Sequence, residues 1–224
     1  MSIRRMLISW LTKKEVGASE KEWRDIRLSF SQFGEDLILQ QILMKDNGVY
    51  LDIGANHPVR FSNTYHLHRF RGWRGVLVEP NPFLARILKG RRPLDTVIQV
   101  AIGAKDGLAY FEINPEHTLS RIVETKGSGK FQVIEVPVFC LPSLINKLPK
   151  KFAQPDLLAL DCEGMDYEIL SGNDWSRFRP RVICAESNKA CESKMSKLLA
   201  AQGYALIANA QHSRIFALQP CQQS

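Results

Sequence analysis

The sequence predicts an α/β domain built on a mostly parallel, seven-stranded sheet, with helices on both faces and an antiparallel hairpin at the C-terminal end. Three observations predict it. Short apolar runs alternate with amphipathic segments along most of the chain, the pattern of successive βα units. Several of those runs end in an acid, as in "VYLDIG", "GVLVEP" and "LLALDCEG". The last two runs, 204–209 and 214–218, are separated only by "AQHS", far too short for the crossover that a parallel pair requires.

Each element has its own signal. Phe30, Phe33, Leu37, Ile38, Gln41 and Ile42 fall at helical spacing and predict a helix over 29–44, stopped by "DNG" at 46–48. A buried strand follows over 48–53, and Ser62 can cap a helix reaching about Arg71. A second strand at 75–78 ends in Glu79-Pro80, and Pro82 opens a short helix where its missing N–H does no harm. A third strand is expected over 96–102. The alternation of "LAYFEI" at 108–113 predicts a strand outside the simple βα pattern, and the polar, glycine-bearing 116–130 reads as a long mobile loop. Strand 133–139 and helix 142–147 precede the fully apolar "LLAL" strand, a short helix at 165–170, strand 182–185 and an amphipathic helix over 190–202.

The domain reading is a basic helical extension over 1–28 followed by one domain over 29–224. The start, "MSIRRMLISWLTKK", has an apolar core too short for a signal peptide. A docked helix is the preferred reading over one resting on a membrane surface, and that peripheral contact is the alternative. No apolar run approaches the ~20 residues of a spanning helix. The five cysteines are scattered without a CxxC pair, so neither a zinc site nor a disulfide framework is implied, and a reducing, cytoplasmic location is expected. The net charge is +7, with eight basic residues (Arg60, Arg69, Arg71, Arg74, Arg86, Lys89, Arg91 and Arg92) against Glu79 alone between 60 and 92. A solvated face is the preferred reading, and an anionic acceptor or head group is the alternative. No zinc-finger spacing or RRM signature supports a nucleic-acid partner.

The chemistry concentrates at "VYLDIGANHP", residues 49–58. A glycine turn after a buried strand lets a ligand approach the backbone. A pyrophosphate site would carry G-x-G-x-x-G, but only Gly54 is present, and Asp52 would repel a phosphate. "GSGK" at 127–130 lacks the spacing of a P-loop. A cationic or zwitterionic ligand such as S-adenosylmethionine fits the turn better. Glu79, at the next strand end, can accept ribose hydroxyls.

"SQFGEDLIL", "YLDIGANHPVRFSNT", "GVLVEPNP", "VAIGAKDG" and "LLALDCEGMDYEILSG" together resemble the ordered motifs of the FkbM family of S-adenosylmethionine-dependent methyltransferases, over about residues 29–187. The resemblance implies the Rossmann-like class I methyltransferase fold. It implies that Asp52, Gly54 and Asn56 form the methionine end of the cofactor site. Glu79 would hold the ribose with Asn81 nearby, Ala101 and Ile102 would flank the adenine, and Gln32 and Glu35 of the "SQFGED" helix would close over it. The chain departs from the pattern at His57-Pro58, where many members carry glycine. Proline there removes an N–H and fixes φ, and His57 is expected to point into the cleft.

Methyl transfer to a hydroxyl needs an aligned acceptor and a destination for its proton. Asp161 is the first candidate for base or acceptor-orienting group, His57 the second, and Glu163 stands beside them at the strand end. Asp161 and Glu186 could alternatively hold Mg²⁺; the metal-free reading is preferred. The family's members are mostly O-methyltransferases of saccharides and natural products, which implies a sugar, glycan or natural-product hydroxyl as acceptor. The competing readings are a catalytically silent cofactor-fold module in glycan assembly and a nucleic-acid or protein methyltransferase. Against base N-methylation, "DCEG" stands where Asn/Asp-Pro-Pro-Tyr would be needed.

Overall fold

A computed structural model describes residues 27–116, 119–127, 130–187 and 191–220. The N-terminal extension therefore lies outside the described residues up to 26. Helix α1 (Glu35–Ile42) leads into β1 (Val49–Ile53), α2 (Tyr65–Phe70), β2 (Arg74–Val78), α3 (Pro82–Arg91) and β3 (Thr96–Ile98). Four strands come next or nearby in the chain: β4 (Ala101–Ile102), β5 (Gly107–Ile113), β6 (Arg121–Val123) and β7 (Gln132–Phe139). Helix α4 (Leu141–Lys147), β8 (Leu157–Leu160), α5 (Asp166–Ser171), β9 (Val182–Glu186), α6 (Glu192–Ala201), β10 (Tyr204–Ala210) and β11 (Ser213–Leu218) complete the order.

Seven strands form the main sheet in the order β10-β11-β9-β8-β1-β2-β3. The five strands from β9 to β3 are parallel to one another, and β11 is antiparallel to both β9 and β10, as the short final connection requires. Alternation along each strand separates two cores. Leu51, Ile53, Val76, Leu158 and Ile183 pack with Leu144 of α4, Ile169 of α5 and Leu199 of α6. Tyr50, Leu77, Leu157 and Cys184 pack with Leu39 of α1, Leu67 of α2 and Leu88 of α3. Both faces are therefore covered, which is why β8 reads as a continuous apolar run.

Three expectations change. The strand expected over 96–102 is divided: Ile98 pairs with Val78 in the main sheet, whereas Ala101 and Ile102 pair with Val138 and Phe139 of a second sheet ordered β4-β7-β5-β6. The 116–130 segment, read as a loop, contributes β6, which pairs with β5 through Tyr110–Val123, Phe111–Ile122 and Glu112–Arg121. Three residues amid polar neighbours give no periodicity to read. Helix α1 starts at Glu35, and 29–34 is not helical. There the Asp36 carboxylate accepts hydrogen bonds from Ser29 Oγ (2.6 Å), Phe30 N (2.8 Å) and Ser31 Oγ (2.9 Å), a local alternative to helix that serine and aspartate favour.

Beneath the sheet's β1–β2 end lies a buried polar network centred on Arg92, whose side chain is fully enclosed. Its Nε donates to Asp95 Oδ2 (2.8 Å), one Nη to Tyr50 OH (2.6 Å) and both Nη to Thr64 Oγ1 (3.1 Å each). The Thr64 hydroxyl donates onward to Asp52, and Asp95 Oδ1 accepts from Gly75 N (3.0 Å). Asp95 thus ties the start of β2 to the end of α3. Burial pushes its carboxyl up, but the His68 hydrogen bond, the Arg92 charge and the Tyr50 hydroxyl outweigh that and hold it below the usual range. Removing the cation while leaving Asp95 and Asp52 in place strands buried charge. Arg92→Met is expected to lower unfolding free energy by about 3–5 kcal/mol, read as a lower urea midpoint. The double variant Arg92→Met/Asp95→Leu should recover part of that loss, and a double variant that loses the full sum of the two single losses would show no coupling.

Candidate active site

The parallel register brings the strand ends to one level. Ile53 stands opposite both Val78 and Leu160, and Leu160 opposite Ala185. The residues just beyond, Gly54, Glu79, Asp161 and Glu186, consequently share the carboxyl edge of the sheet, where open α/β sheets bind ligands.

The turn after β1 is held from both sides. Gly54 N and Ala55 N both donate to Val78 O (3.0 and 3.1 Å). Asn56, itself left-handed at φ 49°, donates its N–H to Glu79 Oε2 (2.8 Å). Gly54 has φ 78°, and a Cβ there would lie 1.9 Å from the Asp161 carbonyl oxygen, so both backbone shape and the approach of the β8 turn require glycine. Glu79 Oε1 accepts from Asn81 N (2.8 Å), which fixes the carboxylate while leaving lone pairs on each oxygen.

These residues border a cavity of about 420 Å³. Gln32, Glu35, Gly54, Asn56, Glu79, Ala101, Ile102, Asp161, Glu163 and Glu186 all line it. Gln32 belongs to the non-helical segment before α1, so only Glu35 lies on the helix. Glu35 is aimed by Phe33 N (2.8 Å) and Ser213 Oγ (3.0 Å). Three expected residues are placed differently. Asp52 does not line the cavity; it is buried behind the turn with the Thr64 hydroxyl. Asn81 caps α3, its Oδ1 accepting from Phe83 N (3.0 Å) and Leu84 N (3.4 Å). His57, expected to point into the cleft, is not among the lining residues. Its Nδ1 accepts from Val59 N (3.1 Å) and Arg60 N (2.9 Å), so the ring folds back on its own turn.

Other residues emerge only from the fold. Asp166, 1% exposed, accepts from Cys162 N and Glu186 N (3.1 Å each), fastening the turn after β8 to the end of β9. Phe61, Asn63 and His212 border the cavity from loops, and Arg121 and Ile122 from the second sheet. Among the described residues that line the cavity, Arg121 alone is an arginine or lysine; none of the eight basic residues between 60 and 92 reaches it.

The electrostatics follow from that imbalance. Burial pushes Asp52 up to about 6, against the pull of the Arg92 charge and the Thr64 hydroxyl. Burial takes Glu79 to about 7 despite the N–H groups of Asn81 and Asn56. Asp161, exposed at the cavity wall, rises to about 7 through partial desolvation within the cleft and then through the Glu186 charge. Glu186 is raised as well, by burial, with its hydrogen bond to Asp161 opposing the rise, so the two carboxyls titrate as an interacting pair. Glu163 also rises to about 7, from burial and then Asp161, with Arg121 opposing. Such a cavity accepts cations and hydrogen-bond donors and repels phosphate. Among the described residues no three His, Cys, Asp or Glu side chains are grouped to hold a metal ion.

The profile of the methyltransferase FkbM domain matches residues 52–206. No curated protein matches the chain. Among solved structures, precorrin-6y C5,15-methyltransferase from Geobacter metallireducens shares the fold at a TM-score of 0.51 and 16% identity, covering 87% of this chain and 91% of that one. Fibrillarin from Aeropyrum pernix, in complex with natively bound S-adenosyl-L-methionine, gives 0.47 at 15% identity, covering 84% and 74%. A SAM-dependent O-methyltransferase from Thermotoga maritima gives 0.48 at 11% identity, covering 97% and 72%.

The raised carboxyls make a pH prediction whose sign is fixed. Each binds its proton more tightly folded than unfolded, so each contributes stability at low pH that is lost as pH rises through the folded value. With unfolded values near 4 and folded values of about 6 to 7, the loss falls between about pH 4 and pH 7. The ligand-free protein should therefore melt higher at about pH 5 than at about pH 8, and Glu79→Gln should shrink the difference. A melting temperature that rises across that interval would contradict this electrostatic picture.

Proposed function

We propose, from the premise that the chain belongs to the methyltransferase FkbM family and is an S-adenosylmethionine-dependent methyltransferase, that it methylates a hydroxyl of a saccharide or a similar natural-product polyol. The observation that carries this reading is that Asp161, Glu163 and Glu186 line one cavity together, with Asp161 raised to about 7. A group poised there can take a hydroxyl proton at working pH.

The residues fit the cofactor. The acid-rich lining suits a ligand that carries an ammonium and a sulfonium and no phosphate. Gly54 and Asn56 would hold its methionine end, Glu79 its ribose hydroxyls, Ala101 and Ile102 its adenine, and Gln32 and Glu35 its open side. Asp52 acts from behind the turn through its charge. When bound, the cofactor supplies an electrophilic methyl on a positively charged sulfur.

The remaining steps belong to the chain. Asp161 and Glu186 orient the acceptor hydroxyl by accepting its hydrogen bond, and Asp161 in its ionised form then receives the proton, so that the oxygen is never required as a free alkoxide. Asp166 keeps the two carboxylates together by accepting from the N–H of Cys162, next to Asp161, and from the N–H of Glu186. Glu163, exposed at the rim with the Arg121 charge opposing its rise, takes a neighbouring acceptor hydroxyl. The acid excess favours a neutral polyol over the anionic acceptor that the basic 60–92 stretch suggested, because Arg92 is enclosed, Arg71 is paired with Asp46 and Arg74 donates to the His68 carbonyl (3.2 Å). Cys140, Cys162, Cys184 and Cys191 are free thiols, in keeping with a reducing, cytoplasmic setting, and no helix among the described residues is long and apolar enough to cross a membrane.

Calorimetry with S-adenosylhomocysteine and methyl-tritium transfer to saccharide fractions or RNA test this reading. Wild-type protein should bind the cofactor product and label saccharide. Glu79→Gln should weaken that binding about tenfold by removing charge-assisted bonds. Asp161→Asn should lose about 10²–10⁴ in transfer rate while retaining cofactor binding. Binding without transfer to any fraction would favour the silent module, and label in RNA alone would favour the nucleic-acid enzyme. Turnover is expected to survive EDTA, since a metal would need Asp161 and Glu186 both ionised. Loss of activity restored by Mg²⁺ would reassign that pair to metal binding.

A further inference from the structure

Phe61 is a bulky residue in the left-handed region, at φ 59°. A phenylalanine there is strained where a glycine would not be. Its ring is also left 42% exposed, and it lines the cavity. The segment around it is pinned on both sides. Upstream, the His57 ring accepts from the N–H groups of Val59 and Arg60. Downstream, Ser62 N donates to Phe30 O (3.0 Å), and Ser62 Oγ accepts from Tyr65 N (3.1 Å). The backbone is thereby held in a shape that presents the ring at the cavity instead of in the core. Arg60 sets its guanidinium 4.8 Å from the ring centre, a cation–π contact that steadies the ring's orientation.

We infer that Phe61 is a stacking platform for the acceptor and selects a saccharide ring by its apolar C–H face. The inference rests on the saccharide reading above and assigns the residue that would enforce it. A pyranose presents two chemistries, a rim of hydroxyls and a flat patch of C–H groups. Carboxylates recognise the first, and here Asp161, Glu163 and Glu186 are available. An aromatic ring recognises the second by burying apolar area against its π face. Strained backbone persists where the surroundings over-determine it and tends to mark ligand-contacting sites. An exposed ring adds little to core packing, so its forced presentation has a use only when something covers it. Stacking also fixes which hydroxyl faces Asp161, since a ring pressed against a wall keeps few orientations.

Saturation-transfer difference NMR tests this on protein saturated with S-adenosylhomocysteine, using the methyl glycosides of glucose, mannose and rhamnose as probes. Wild-type protein and Phe61→Tyr should both transfer saturation to sugar C–H protons. Phe61→Gly should lose at least about fivefold of that signal, the size of a single well-placed aromatic contact, while binding S-adenosylhomocysteine as the wild type does. Equal signal on wild type and Phe61→Gly would overturn the platform and leave the saccharide reading standing. No signal from any glycoside on cofactor-saturated wild type would overturn both. Thermal melting without glycoside supplies the second readout. Relief of the strained φ should keep Phe61→Gly close to wild type, and a fall of more than about 5 °C would mark the ring as a packing element and overturn the inference.

Discussion

A carboxylate sealed from water must find a counter-charge, a hydrogen-bond donor or a proton. That constraint organises this molecule. Its parallel register delivers acids to one edge of the sheet, and each is accommodated by a different means. Asp52 reaches the enclosed Arg92 guanidinium through Thr64. Asp166 takes two backbone N–H groups. Glu79 takes two others and still titrates near neutrality. Asp161, beside Glu186 at the open cavity wall, is raised to about 7. The deficit that remains is open to the cavity, and on the function proposed above a cationic donor and a hydroxyl-bearing acceptor would relieve it. Turn geometry, strand register and chemistry are thus connected: Gly54 must be glycine because the Asp161 carbonyl lies against it, and that proximity brings the β1 turn and the Asp161 and Glu186 carboxylates to one cavity.

How much of this was legible in the sequence differs from residue to residue, for physical reasons. Strands β1, β2, β8 and β9 announce themselves because both of their faces are buried, and the acids beyond them mark the ligand edge directly. Glu79 and Asp161 could be read as site residues from position alone. Residue type was a poorer guide where one side chain has several good uses. Asn81 is equally suited to a ribose contact and to a helix cap, and its place before Pro82 puts it at the cap. His57 looks like a base, but the turn after it offers two N–H groups at short range. Arg92 looked like part of a solvated basic face, because the partners that enclose it, Tyr50, Thr64 and Asp95, are scattered in sequence and meet only after folding.

Asp166 and β6 show the limits more sharply. Nothing local distinguishes Asp166 from a surface acid opening a helix; its role depends on β9 arriving alongside β8. Strand β6 exists because β5 offers it an edge. The positive φ of Phe61 has no signature in the sequence, because the residue is neither glycine nor asparagine, and backbone geometry alone reveals it.

The two sheets divide the labour of the cavity. The cavity acids Glu79, Asp161 and Glu186 stand at the edge of the large sheet, locked by register to its buried core, whereas Arg121 and Ile122 reach in from an outer three-residue strand of the small one. Replacing residues on that outer strand disturbs no ladder of the parallel core. Divergence among such proteins can therefore proceed by swapping a rim while the transfer machinery stays intact, so that new acceptors are acquired without rebuilding the catalyst.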